Sequence, residues 1–127
     1  ILLLNMDLNN FKQINDTHGH SEGDQALCAF ANLLEEVFGK DAVVGRMGGD
    51  EFIIIMEAEK KHMIEELLYH LTQRVNEYNM LEKHPFQLQF AYGYATNEND
   101  ISRTPWDVYK EADAKMYECK RKQEKKE

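Results

Sequence analysis

The chain is poor in the features that staple a domain, anchor it in lipid or attract polyanions. Its two cysteines, Cys28 and Cys119, among 127 residues are too few for a disulfide scaffold and fit a reducing cytosolic setting. The longest apolar runs, residues 1–4 and 52–56, are far too short to cross a bilayer, so no direct membrane contact is expected. The opening stretch has no basic n-region and runs into Asn5 and Asp7, so no cleavable signal is expected in it. Basic residues are outnumbered, with 15 Lys plus Arg against 23 Asp plus Glu and a formal net charge of −8. That balance argues against a nucleic-acid-binding face, but not against a phosphate-bearing substrate whose charge is offset by a metal ion and a few placed cations. No repeat, Gly/Ser linker or low-complexity block interrupts the chain, so residues 1–127 read as one domain. Because Ile1 is not an initiator Met and Ile-Leu-Leu-Leu reads as mid-strand, that domain is expected to be a fragment of a longer protein.

What is present is ordinary for a soluble globular fold, with 43% hydrophobic and 30% charged residues. Residues 1–8 form a nearly continuous apolar run, as in a central strand covered on both faces. Phe11 and Ile14 mark a short helix over 9–17 that closes near Gly19. Ser21 and Asp24 resemble a capping box, and Ala26, Leu27, Phe30, Ala31, Leu34, Val37 and Phe38 follow a helical period up to Gly39, a C-terminal glycine. Residues 42–46 and 51–56 are β-branched-rich and joined through Met47-Gly48-Gly49-Asp50, a β-hairpin. A second long helix carries Ile64, Leu67, Leu68, Leu71, Val75 and Tyr78, and residues 86–95 alternate as a strand. Thr104, Pro105 and Asp107 open a last helix with Trp106, Tyr109, Ala112, Met116 and Tyr117 as its buried stripe, and the charged stretch 120–127 reads as its solvated end. Helices on one mostly antiparallel sheet make the class α+β, ferredoxin-like or palm-type.

If the hairpin pairs beside the first strand, Asp7, Asp50 and Glu51 converge on one sheet edge. Clustered carboxylates repel, and Mg2+ or Mn2+ held by one or two of them plus substrate phosphates is the usual remedy. The competing reading makes Asp7 a helix cap and Asp50 and Glu51 ordinary turn residues. Asn10-Phe11-Lys12 opens a helix, where free backbone N–H groups and the Lys12 ammonium can hold phosphates, although a single lysine is more commonly just solvated. An EF-hand starting at Asp7 is excluded, because Phe11, Lys12 and His18 stand where an oxygen ligand, Gly and Glu are required. His18 and His20 lack a second ligand pair for zinc and read as loop residues, with Cys28 a small core residue.

At Arg46-Met47-Gly48-Gly49-Asp50-Glu51-Phe52 the chain resembles the GGDEF family, the diguanylate cyclase domains of bacterial signalling proteins. The stretch from Asp7 through Asn15 to Asp24 is similar to that family's D-x-[DN]-x-F-K-x-I-N-D-x-x-G-H-x-x-G-D block. Ala112-Asp113-Ala114-Lys115-Met116-Tyr117-Glu118-Cys119-Lys120 resembles its A-D-x-A-L-Y-x-A-K helix. The resemblance implies condensation of two GTP to cyclic di-GMP and two pyrophosphates, across a homodimer in which each 3′-OH attacks the other nucleotide's α-phosphate. It makes Asp7, the Leu8 carbonyl and Asp50 metal ligands, with Glu51 assisting at the metal or in activating the 3′-OH. Gly48 and Gly49 let the hairpin lie close to the triphosphate, and Asn10, Phe11, Lys12 and Lys120 meet the phosphates. Asn15 and Asp24 read guanine, whose N1–H and N2–H₂ donate to an ionised Asp while adenine N1 does not.

Two departures stand out. Where the family helix continues with Gly-Arg, this chain has Gln123-Glu124, an anion in place of a cation, and the usual flanking segments are missing. The family's inhibitory product site, R-x-x-D, falls on Gly39-Lys40-Asp41-Ala42, which has neither charge in place, so no feedback site is expected. The first departure motivates an alternative, a GTP-binding regulatory module that makes no product. A purely structural interaction domain, binding no GTP, is the third.

Overall fold

Residues 2–8 place Leu2, Leu4, Met6 and Leu8 on one face of a strand and Leu3, Asn5 and Asp7 on the other. Around this strand the computed structural model describes residues 1–125; the predicted tail's last two, Lys126 and Glu127, lie outside the described residues. The elements are β1 (Leu2–Leu8), α1 (Phe11–His18), α2 (His20–Phe38), β2 (Val43–Gly48), β3 (Glu51–Met56), α3 (Ile64–Met80), β4 (Phe90–Thr96) and α4 (Pro105–Lys125). A short 3₁₀ turn, Ala58–Met63, leads into α3. The sheet order is β2-β3-β1-β4 with every pairing antiparallel, the ferredoxin-like order expected of the α+β class.

The even face of β1 meets α2, α3 and β3 in the main core, where Phe30 lies edge-on to Phe52 at 5.4 Å between centroids. Burial of each such side chain contributes about 1.5–3 kcal/mol. The odd face packs under α4, where Leu3, Ala95, Val108 and Ala112 form a smaller cluster. Helix α4 lies so close on β4 that a Cβ at Gly93 would come within 2.3 Å of the Met116 amide nitrogen and 2.4 Å of the Ala112 carbonyl oxygen. Only glycine fits there.

Several local expectations change. Ser21 and Asp24 do not cap α2: it starts at His20 after Gly19, whose φ of 93° turns the chain, and the Gly23 N–H donates to the Gly19 carbonyl. Gly39 keeps a right-handed conformation (φ −57°) instead of a left-handed cap. The hairpin strand β2 runs to Gly48, with positive φ at Gly48 (139°) and Gly49 (53°) and a register shift between Arg46 and Gly48. The last strand begins at Phe90, not Phe86. Phe86 and Leu88 are buried, but the Asn79 amide accepts from the Leu88 N–H at 2.8 Å and donates to its carbonyl at 2.9 Å, taking the place of a strand neighbour. The α4 stripe is Val108, Ala112 and Met116, whereas Trp106 and Tyr117 are 61% and 56% exposed. Cys28 is also exposed, since it falls on the outer side of α2, and His18 and His20 are exposed helix ends flanking Gly19. Thr104 and Asp107 cap α4 reciprocally as anticipated.

Candidate active site

The acids meet at the end of β1. Asp7 lies opposite Glu51 in the β1–β3 register, and the Leu8 N–H donates to the Asp50 carbonyl at 3.0 Å. This bond fixes the hairpin end against the strand end. The glycines at the tip supply the positive φ that turns the chain, and the Arg46 Nε–H donates to the Gly49 carbonyl at 2.9 Å. From the other side Lys120 on α4 donates to Asp7 Oδ2 at 2.7 Å.

The electrostatics follow from that packing. Burial first, and the Asp7 charge second, hold the Asp50 carboxyl above its ordinary range, against the pull of its own backbone hydrogen bond, Lys120 and Arg46. Burial pulls the Lys120 ammonium down, but the hydrogen bond to Asp7 and the charges of Asp7 and Asp50 outweigh it and raise the pKa. Asp7 Oδ1 is buried with no hydrogen-bond partner. A repelling carboxylate pair with one orphaned buried oxygen is the environment a divalent cation relieves. Among the described residues no group of three or more His, Cys, Asp or Glu side chains could hold a metal ion alone. Two carboxylates and a backbone carbonyl instead match a cation whose shell substrate phosphates complete. The residues fit the group.

Next to this end, Asn10 adopts φ 60° and starts α1 with no side-chain cap, so the first N–H groups of that helix, at Phe11 and Lys12, stay open to a ligand. Lys12 is exposed. A small cavity of about 90 Å³ lies here, lined by Asn9, Asn10, Gln89, Lys120, Gln123 and Glu124. Gln123 accepts from the Asn9 Nδ2–H at 2.7 Å and donates to the Phe90 carbonyl at 2.9 Å, tying α4 to the turn after β1. Glu124 lines the same cavity as Lys120.

The proposed guanine readers stand apart from the acids, at the α1–α2 junction. A Cβ at Gly23 would lie 1.7 Å from Asn15 Oδ1, so glycine is what admits that amide, and Oδ1 is buried without a partner. Asp24, the next residue, is exposed. In the window 39–42, Asp41 pairs with Lys60 at 3.9 Å and no arginine is present.

One contact was not legible from the motifs. The Tyr109 hydroxyl donates to Glu51 Oε1. That hydrogen bond, then burial, then the Glu51 charge push the Tyr109 hydroxyl well above the phenol range. A signal was available: Tyr109, Asp113 and Lys120 recur at helical spacing, and Asp113 accepts from the Asn5 amide at 2.9 Å on the same face.

A family model described as diguanylate cyclase, GGDEF domain, matches residues 1–126. A diguanylate cyclase of Vibrio cholerae serotype O1 is 33% identical over 126 residues, covering 93% of this chain and 36% of that protein. A probable diguanylate cyclase, DgcJ, of Escherichia coli K12 is 33% identical over 125 residues, covering 92% of this chain and 22% of that protein. The chain thus spans about a third or less of the length of these relatives. The structure of the active GGEEF domain of a Vibrio cholerae diguanylate cyclase superposes with a TM-score of 0.77 at 31% identity, covering 95% of this chain and 76% of that one. The GGDEF domain of DgcB from Caulobacter crescentus, in complex with c-di-GMP, gives 0.82 at 26% identity, covering 94% and 71%. Fold, intact signature and family match agree: this chain belongs to the diguanylate cyclase GGDEF-domain family.

Proposed function

We propose that this domain condenses two GTP into cyclic di-GMP and two pyrophosphates, working as one half of a homodimer. The observation that carries the reading is the Asp7–Asp50 junction, closed by the Leu8 N–H to Asp50 carbonyl bond and holding an orphaned Asp7 oxygen. Asp7, the Leu8 carbonyl and Asp50 would hold Mg2+ or Mn2+. When bound, such a cation polarises a phosphoryl oxygen and lowers the pKa of a nearby hydroxyl. The chain's own residues do the remaining work. The α1 N-terminus, with the Asn10, Phe11 and Lys12 backbone and the Lys12 ammonium, binds phosphate oxygens, and Lys120 adds a cation beside Asp7. Asn15 and Asp24 accept from the guanine edge. Glu51, which would also help hold the divalent cation, takes the proton of the 3′-OH as the hydroxyl oxygen bonds to the α-phosphorus of the nucleotide on the facing domain. The bond from that phosphorus to the bridging oxygen breaks, and pyrophosphate leaves. A cytoplasmic location supplies the GTP, and other domains of the parent protein bring two copies together.

The test is incubation of the full-length dimeric protein with GTP and Mg2+, with the nucleotides resolved by chromatography. Cyclic di-GMP is expected, falling by about a hundredfold or more in Asp50→Ala. Equal product from that variant overturns the reading. Any inhibition by added cyclic di-GMP is expected to be the same before and after Asp41→Ala, because the window 39–42 carries no arginine, and inhibition lost in that variant would overturn this.

A second reading is favoured by Glu124, which lines the cavity beside Lys120, and by Gln123, whose amide is committed to Asn9 and Phe90. With one cation there instead of two, the domain would bind GTP as a regulatory module and release no product. Calorimetric GTP binding without cyclic di-GMP would select it, and absence of GTP binding would select a structural interaction domain.

A further inference from the structure

Three side chains on one face of α4 hold three groups of the acidic end: Tyr109 to Glu51, Asp113 to Asn5 and Lys120 to Asp7. Asp113 supports a buried amide of the sheet, and Lys120 is the cation of the site. Tyr109 meets an acid that faces Asp7 across the strand pair.

We infer that Tyr109 is a positioning residue for Glu51, its phenol fixing Oε1 so that Oε2 is the oxygen offered to the 3′-OH. The inference rests on the cyclase reading above. Glu51 is a long side chain at the first position of β3, next to a hairpin tip, and on its own it would sample several rotamers. Tyr109 removes that freedom because its own ring is held on two sides. Trp106 stacks on it at 5.3 Å between centroids and an interplanar angle of 17°, and the ring also packs on the cluster of Leu3, Ala95, Val108 and Ala112. A rigid donor placed by a helix orients a carboxylate better than a solvated one. Trp106, 61% exposed, covers the outer side of the ring; packing under α4 does not require it. Among the described residues Glu51 Oε2 accepts no hydrogen bond, so the arrangement leaves one oxygen committed and one available.

Tyr109→Phe deletes only the hydroxyl. In the full-length protein it is expected to lower kcat for cyclic di-GMP about tenfold, the scale of one hydrogen bond to a charged group, with KM for GTP within about twofold of the parent. Mn2+ binding in the presence of a non-hydrolysable GTP analogue, read by electron paramagnetic resonance, is expected to weaken severalfold. The thermal midpoint should barely move, and Tyr109→Phe should cost nothing further in a Glu51→Gln background. Unchanged kcat and Mn2+ affinity would overturn the inference. So would an equal loss in the Glu51→Gln background accompanied by a lower thermal midpoint, which marks a purely structural role. Absence of product from the parent protein would count against the cyclase reading alone, and the Mn2+ comparison would still decide for or against Tyr109.

Discussion

The two faces of β1 are built from alternate residues of one strand and differ in almost everything else. Toward α2 and α3 the strand presents Leu2, Leu4, Met6 and Leu8, all buried among apolar side chains. Toward α4 it presents Leu3, then Asn5 bonded to Asp113, then Asp7 bonded to Lys120. Polarity on that face increases along the strand until it reaches the hairpin tip. The difference teaches that stability and chemistry are separated by the two-residue period of a strand, so that the acids tolerate mutual repulsion because the opposite face is wholly apolar.

The largest break in this comparison should come from the apolar side. Phe30→Ala removes a ring that touches both Phe52 and Phe90, and is expected to cost about 3–5 kcal/mol in denaturant-induced unfolding. GTP affinity per folded molecule should stay near that of the parent. Gly93→Ala strikes the other face, forcing a Cβ into the α4 backbone, with an expected cost of about 1–3 kcal/mol. Because α4 carries Lys120, this variant should also lose product formation per folded molecule, which Phe30→Ala should not. Equal behaviour of the two would dissolve the separation.

The smallest effect sharpens the comparison and has a definite sign. The Asp50 carboxyl binds its proton more tightly folded than unfolded, so ionising it costs the fold. That cost is absent below the ordinary value of 3.8, where both states are protonated, and grows as pH rises through the raised folded value. In chelator at neutral pH, Asp50→Asn should therefore raise the thermal midpoint, and should give no gain below pH 3.8. A lower midpoint at neutral pH would show that Asp50 stabilises the fold.

Much of this was readable from residue order. The apolar run of β1 pointed to a strand covered on both faces and the helical period of α2 to its buried side, and the family motifs pointed to Asp7, Asp50 and Lys120, which the fold brings to one end. Asn15 packs its amide against Gly23, whose missing side chain leaves the room. What escaped were contacts that no local rule encodes. Phe86 and Leu88 look like strand residues, yet their segment is secured by the Asn79 side chain. Ser21 has the chemistry of a cap, yet the positive φ of Gly19 starts α2 one residue before it. Tyr109 fits an apolar stripe equally well, and only the placement of α4 across the sheet reveals that its hydroxyl reaches Glu51, 58 positions away.

The ammonium of Lys120, 2.7 Å from Asp7, has one further consequence. A divalent ion reaching this strand end must share or displace a resident counter-ion, so loading is an exchange. Added salt screens the incumbent and the newcomer alike, and occupancy should respond to ionic strength less steeply than at a bare pair of acids.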